Sequence, residues 1–186
     1  MERSDLALRR ARFAYERSHV MSALRGVAIA AGLSLAAVGL HRTSDATWLV
    51  AGVLGATLAV LGWRGGAWRR GGWAGVIAGL PPLVAPTIVF AVIHGGRCPD
   101  CVMGPTLPCL VVCFGTSSFV GSLVGYRATL DDSPRRYAMA AMSSAALTGL
   151  LGCGTTGLGG AIGIVIGLVA GAITGWIVGG RTAHAS

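Results

Sequence analysis

Apolar residues occur in long blocks, separated by short polar segments, along almost the whole chain. A helix needs about 20 mostly apolar residues to cross the hydrocarbon core of a bilayer. Six blocks approach or reach this length, the fifth being the shortest. They are Met21–Leu40, Ala46–Trp63, Trp73–Ile93, Thr106–Tyr126, Tyr137–Gly152 and Leu158–Val178. The pattern predicts an all-α, polytopic membrane protein with six transmembrane helices.

The composition agrees with this class and excludes an ordinary soluble domain. Charged residues make up 12% of the chain and hydrophobic residues 53%, whereas soluble domains carry about 25% charged residues. The first block follows an arginine-rich segment without an obvious Ala-x-Ala cleavage site, which favours a retained helix over a signal peptide. We therefore expect an N-terminal arm (residues 1–19), a six-helix domain (20–180) and a short tail (181–186).

The arginines predict the orientation. The chain has no lysine, so its 15 residues of the lysine and arginine class are all arginine. With the N-terminus in the cytoplasm, only Arg42 and Arg97 fall in outer loops, and arginine enrichment in short cytoplasmic loops sets topology. We expect an N-in/C-in protein of the bacterial inner membrane. The net charge of +8 is then explained by the topology and by contact of the arginines with anionic lipid. We therefore expect the bilayer as a partner and no direct binding of nucleic acid.

Small residues at four-residue spacing predict how the helices pack, because they let helix backbones approach closely in lipid. Helix four has Ser117, Gly121 and Gly125, and helix five has Ala141, Ala145 and Gly149. Helix six has the longest row: Gly159, Gly163, Gly167, Gly171, Gly175 and Gly179. These rows are predicted packing faces within the chain. A homodimer through helix six is the alternative.

Helix three contains Pro81, Pro82 and Pro86 near its middle. Proline removes a backbone hydrogen bond, and a broken helix at mid-membrane can mark a transport site. Ionisable residues deep in a span usually mark ion or proton pathways, and none lies deep in these spans. The prolines are therefore expected to bend the helix without forming a proton-coupled site.

All five cysteines fall on the predicted outer side, which is the oxidising side in a bacterium. Cys98 and Cys101 form a C-x-x-C in loop three, close to His94. Cys109 and Cys113 are four residues apart at the start of helix four, so they share one helix face. Cys153 ends helix five.

Three chemistries fit this set, and the spacing does not choose between them. A structural disulfide would join Cys98 to Cys101 or to Cys109. Four thiolates with His94 could instead bind a soft metal ion such as Zn, Cu or Hg. A redox-active dithiol could signal by thiol–disulfide exchange. The odd count leaves at least one thiol, for example Cys153, without an intrachain disulfide partner.

The N-terminal arm is the largest predicted cytoplasmic segment. Leu6, Phe13 and Val20 are seven residues apart, which gives a helix an apolar stripe flanked by arginines. Such a helix can lie on anionic lipid or dock a protein. The candidate partner-binding residues are Leu6, Arg9, Arg10, Phe13, Tyr15 and Arg17.

The second half of the chain carries Cys109-Leu, Ser117, Arg127, Ser133-Pro-Arg-Arg, Gly149, Cys153 and Gly179-Gly-Arg181. In these residues it resembles the six-helix proteobacterial membrane anti-sigma factors, the negative-regulator-of-sigma family. The resemblance implies a basic inner loop between two spans and periplasmic cysteines that gate the response. It also implies an N-terminal segment that holds an extracytoplasmic-function sigma factor.

These observations predict a non-enzymatic membrane sensor or regulator, with the cysteine cluster as input and the arm as output. One alternative is a membrane thiol–disulfide oxidoreductase, which would need a quinone site near Arg97 or His94. Another is a soft-metal binding or transport protein. A thiol relay across the membrane needs acceptor cysteines on the inner side, and the chain has none there, which disfavours transport.

Overall fold

The computed structural model describes residues 16–17, 20–35, 45–94, 107–153 and 158–183. Within these ranges the protein is all-helical and contains six long helices, so the predicted all-α class is confirmed. The helices are α1 (Val20–Leu35), α2 (Asp45–Arg64), α3 (Gly66–His94), α4 (Leu107–Thr129), α5 (Pro134–Cys153) and α6 (Leu158–Ala183).

Three of the described helices are long and apolar enough to cross a membrane. These segments are Thr47–Arg64 in α2, Leu110–Thr129 in α4 and Gly160–Arg181 in α6. Helix α1 is apolar but shorter over its described residues. Helix α5 is less apolar because it begins with Arg135 and Arg136 and is rich in alanine, serine and threonine. Length and composition thus support three of the six predicted spans.

The boundary between α2 and α3 differs from the prediction. Residues 64–72 were expected to form an inner loop before a span at Trp73–Ile93, but α3 already begins at Gly66. Gly65 and Gly66 have positive φ values of 66° and 52°, a region that glycine enters without steric cost. One left-handed turn therefore reverses the chain, and the arginines at 69 and 70 lie in the first turns of a helix.

Helix α3 packs most extensively on α5, and the two run parallel. Gly71 lies against Tyr137, Gly75 against Ala141 and Gly79 against Ala145, so residue numbers rise together along both helices. A Cβ at Gly75 would collide with the carbonyl oxygen of Ala141. Backbone contact of this kind is what small-residue rows permit in lipid.

Helices α4 and α6 form a second parallel pair of the same kind. The glycine row of α6 lies on α4: Gly167 is against Phe114, Gly171 against Ser118, and Gly175 against Ser122. In return, Gly125 of α4 lies against the backbone of Ala172 in α6. From Gly167 to Gly179 the glycine row of α6 is therefore covered by α4 of the same chain. The homodimer through helix six stays a prediction.

Helix α1 and helix α2 form an antiparallel hairpin. A Cβ built on Gly26 would lie 3.1 Å from the carbonyl oxygen of Leu58. At the other end of the contact, Gly62 of α2 lies close to Ser22 of α1. Helix α2 then joins α3 and α5 through a buried cluster that includes Leu54, Val76 and Leu151. The chain is thus built as one hairpin beside two parallel helix pairs.

Helix α3 continues through its three prolines without a break in the helix. Pro82 is fully buried, and its Cγ lies 3.5 Å from a Cβ built on Gly149 of α5. A neighbouring helix therefore packs directly over the proline. This arrangement fits a packed bend better than an opened transport site.

Candidate functional site

Arginines of the helical bundle cluster at one end of it. Arg70 in the first turns of α3 contacts Asp131 in the turn between α4 and α5, which places these three helix ends together. Helix α2 ends at Arg64 directly before α3, and Gly179 near the end of α6 lies against Thr129. We call this the arginine end. Its arginines are Arg64, Arg69, Arg70, Arg127, Arg135, Arg136 and, in the last turn of α6, Arg181.

The contact of Arg70 with Asp131 is the main ion pair at the arginine end. The Nε and Nη2 atoms of Arg70 each donate to one carboxylate oxygen, both at 3.1 Å. Asp131 also accepts the backbone N–H of Ser133 at 3.0 Å, so the same carboxylate shapes the turn. Its side chain is 10% exposed and that of Arg70 is 54% exposed. The pair fastens the α4–α5 turn to α3.

Aromatic residues accompany the arginines at this end. The guanidinium carbon of Arg64 lies 5.2 Å from the ring centroid of Trp68, within the range of a cation–π interaction. Trp63 and Trp73 are both exposed on the outside of the helices. Tryptophan is enriched at membrane–water interfaces, so the arginine end has the composition of an interfacial layer.

The candidate cysteine site belongs to the opposite end of the same helices. Because α3 and α5 run parallel, the end of α3 at His94 and the end of α5 at Cys153 lie away from the arginines. Helix α4 begins there with Cys109 in its first turn, and α6 begins there at Leu158. The structure therefore brings the helix ends that bear these three residues to one end of the bundle.

Cys113 is the cysteine whose surroundings are described, and it lies in the core. Its exposed fraction is 0%, and it packs with Val120, Ala145, Ile164 and Leu168. A Cβ built on Gly163 of α6 would lie 3.9 Å from the Cβ of Cys113. A buried cysteine in apolar surroundings is less reactive than an exposed one. Cys109, one turn earlier, is the member of the pair nearer to the end of the bundle.

Several predicted site residues lie outside the described part of the chain. Cys98 and Cys101 fall in residues 95–106, and most of the candidate arm falls in residues 1–15. The side chains of His94, Cys109 and Cys153 are likewise outside the description, while Arg17 is helical and exposed. Among the described residues no group of three His, Cys, Asp or Glu side chains could hold a metal ion. The thiol cluster and its metal-binding alternative thus remain predictions.

Two buried hydroxyls of α5 were not singled out from the sequence. Ser144 and Thr148 are fully buried. The Ser144 hydroxyl lies 3.0 Å from the carbonyl oxygen of Gly72 in α3 and 2.7 Å from that of Ala140 in its own helix. The four-residue spacing of Ser144 and Thr148 beside Ala141 and Ala145 could have revealed this face. The Ser144 hydroxyl therefore joins α5 to α3.

Comparisons with known proteins do not identify a family for this arrangement. No protein-family model, no curated protein and no solved structure matches the chain.

Proposed function

We propose that this chain is a six-span inner-membrane regulator with both termini in the cytoplasm. In this proposal the arginine end faces the cytoplasm and the cysteine-bearing end faces the periplasm. The three helices with spanning length and composition support membrane insertion. The arginines support the orientation, because basic residues in short segments are retained inside.

One observation supports the regulatory role above the others: the thiol-bearing helix ends and the arginine end are opposite ends of the same helices. Cys109 lies in the first turn of α4, and Arg127 lies in the last turn of α4. Cys153 ends α5, and Arg135 lies in its first turn. A change in thiol chemistry at one end therefore acts on helices that reach the other end. This is the arrangement that a transmembrane signal requires.

The internal packing offers an element that such a signal could move. Backbone contacts hold α3 to α5 and α4 to α6, while contact between the two pairs is less extensive. Packed helices shift as rigid bodies more readily than they deform. A disulfide or a metal ion formed across the ends of α3, α4 and α5 would change how one pair sits on the other.

The output in this proposal is capture of a cytoplasmic sigma factor by the N-terminal arm. A stable interface buries roughly 800 Å² on each partner. The inner connections offer little such surface, since α2 and α3 are joined at Gly65 and the α4–α5 turn spans residues 130–133. The arm is the largest inner segment predicted from the sequence, and its candidate partner-binding residues include Leu6, Phe13 and Tyr15.

A pull-down with the candidate sigma factor tests the proposal. Wild-type protein should retain it, whereas deletion of Met1–Ser18 should abolish retention while membrane insertion persists. Phe13→Ala combined with Tyr15→Ala should weaken retention by tenfold or more, because buried aromatic anchors commonly contribute at least 2 kcal/mol. Ser4→Ala, in the arm but outside the candidate partner-binding residues, is the control. Equal recovery with the full-length and the truncated protein would show that the arm only contacts lipid.

A further inference from the structure

A groove lies between α1, α2 and α3 near the arginine end. Its floor is buried and apolar, formed in part by Leu58, Leu61 and Val76. Its rim carries Arg69 and Trp73. The groove is shallow and open at its mouth, with a cavity volume of about 20 Å³, so a ligand would lie along its surface and would not be enclosed by it.

The lining of the groove changes from polar to apolar along its length. On α3, Arg69 comes first, then Trp73 one turn later, and then Val76. On α1, Ser22 lies at the same end as Arg69, and Ile29 lies two turns deeper. Since α1 and α3 both run away from the arginine end, both walls show the same gradient. A ligand that fits it has an anionic head and an apolar chain.

The charge at the rim is available to a ligand. Arg69 and Arg70 are adjacent and both exposed, but Arg70 is paired with Asp131. Within the described residues, no carboxylate lies within ion-pair distance of Arg69. The groove therefore presents one guanidinium with no anion of the described bundle to neutralise it. Arginine binds phosphate through paired N–H donors.

We propose that this groove binds an anionic phospholipid of the surrounding bilayer. The headgroup phosphate lies on Arg69 with the Ser22 hydroxyl nearby, and Trp73 covers the glycerol region. One acyl chain follows Ile29 and Val76 along the apolar floor. Basic pockets between membrane helices on the cytoplasmic side are a common form of lipid site. The proposal depends on membrane insertion and is independent of any regulatory role.

Fluorescence quenching of Trp73 by brominated lipid tests this site. The full-length chain would keep Trp73 as its one tryptophan, with Trp48, Trp63, Trp68 and Trp176 changed to phenylalanine. The protein would be placed in phosphatidylcholine bilayers that contain either brominated phosphatidylglycerol or brominated phosphatidylcholine. We expect phosphatidylglycerol to be preferred about fivefold near Trp73, the ratio that corresponds to one arginine close to anionic lipid.

Two variants separate a specific site from general attraction. Arg69→Gln should remove the preference, whereas Arg135→Gln, which removes the same charge at the same end, should leave it intact. Equal quenching by the two lipids, or equal loss in both variants, would overturn the proposal. A preference that appears only after deletion of residues 1–15 would show that the arm fills the groove instead, and would overturn it as well.

Native mass spectrometry keeps the proposal testable if the tryptophan variants fail to fold. Wild-type protein released from detergent should retain one phosphatidylglycerol under conditions that strip phosphatidylcholine. Arg69→Gln should retain severalfold less, and Arg135→Gln should match the wild type. Loss of sigma-factor capture with normal lipid retention would count against the regulatory role alone, so the two proposals fail separately.

Discussion

Glycine determines the contact between α4 and α6 residue by residue. A Cβ at Gly171 would collide with the carbonyl oxygen of Ser118, and one at Gly175 would collide with that of Ser122. These atoms belong to the helix backbone and cannot move aside as a flexible side chain can. By contrast, no other described helix comes within 4 Å of a Cβ built on Gly180 of the same helix. The glycines of α6 therefore differ sharply in their tolerance of a methyl group.

This difference predicts opposite effects of one substitution at two positions. Gly171→Ala should lower the free energy of unfolding by about 1–3 kcal/mol, the usual cost of overpacking. Gly180→Ala should be neutral or stabilising by up to about 1 kcal/mol, because alanine is the better helix former. Denaturation in mixed micelles with rising dodecyl sulfate would measure both. A similar loss at the two positions would contradict the backbone contact between α4 and α6.

At the scale of the elements, the sequence predicted some packing faces and missed one. The small-residue rows of α4, α5 and α6 were visible because they fall inside clear apolar blocks. Gly71, Gly75 and Gly79 of α3 have the same spacing, but the first lies beside Arg69 and Arg70, so the region resembled an inner loop. A helix end in the interfacial layer carries charge and packing residues together, and hydropathy alone cannot separate them.

Residue types and their spacing were enough to predict the cysteine region from the sequence. They were not enough to predict its geometry. The i, i+4 rule places Cys109 and Cys113 on one face of α4, but it does not say what that face contacts. In the structure Cys113 points into the core beside Ile164 and Leu168. Burial depends on how α4, α5 and α6 assemble, which no local pattern encodes.

The α4–α5 turn is an element whose attachment can be tested. Asp131→Asn keeps an oxygen that can accept the Ser133 N–H but removes the charge that Arg70 contacts. We expect a loss of roughly 0.5–1 kcal/mol in the free energy of unfolding, as for partly exposed ion pairs. Asp132, at 99% exposure and 3.9 Å from Arg70, is the matched control. Its change to asparagine should cost less than half as much.

Ionic strength distinguishes two causes of this stability loss, the missing ion pair and an altered turn geometry. Salt screens exposed charges, so the difference between Asp131→Asn and the wild type should shrink as salt rises. A loss that stays constant from low to high salt would assign the effect to the turn geometry. Unfolding measured in mixed micelles at two salt concentrations gives this comparison directly.

At the scale of the whole molecule, the helix directions constrain any membrane arrangement. Helices α3 and α5 are parallel, α4 and α6 are parallel, and α1 and α2 are antiparallel. Successive helices therefore alternate in direction, as a chain that crosses a bilayer repeatedly must. All arginines of the described helix ends then share one side, in agreement with retention of basic residues in the cytoplasm. The geometry fixes which ends lie together, and chemical labelling can fix which side each faces.

Labelling of variants with a single cysteine tests the orientation of the whole chain. A membrane-impermeant maleimide should label Cys98, Cys101 or Cys153 in intact spheroplasts, because the helix ends at His94, Leu107 and Cys153 lie opposite the arginines. Ser186→Cys, in a background without the native cysteines, should react only after lysis. Cys113, which is 0% exposed, serves as an internal control and should resist the reagent until the protein is denatured.

The outcomes of this experiment separate topology from folding. Labelling of Cys153 only after lysis, together with labelling of Ser186→Cys in intact spheroplasts, would reverse the orientation. The thiols would then lie in the reducing cytoplasm, where disulfides are rare, and a periplasmic redox or metal input would be excluded. Ready labelling of Cys113 in the native protein would show that α4, α5 and α6 do not enclose it. If Cys153 reacts outside, the Ser186→Cys tail reacts inside and Cys113 stays protected, the bundle spans the membrane with its cysteine end in the periplasm.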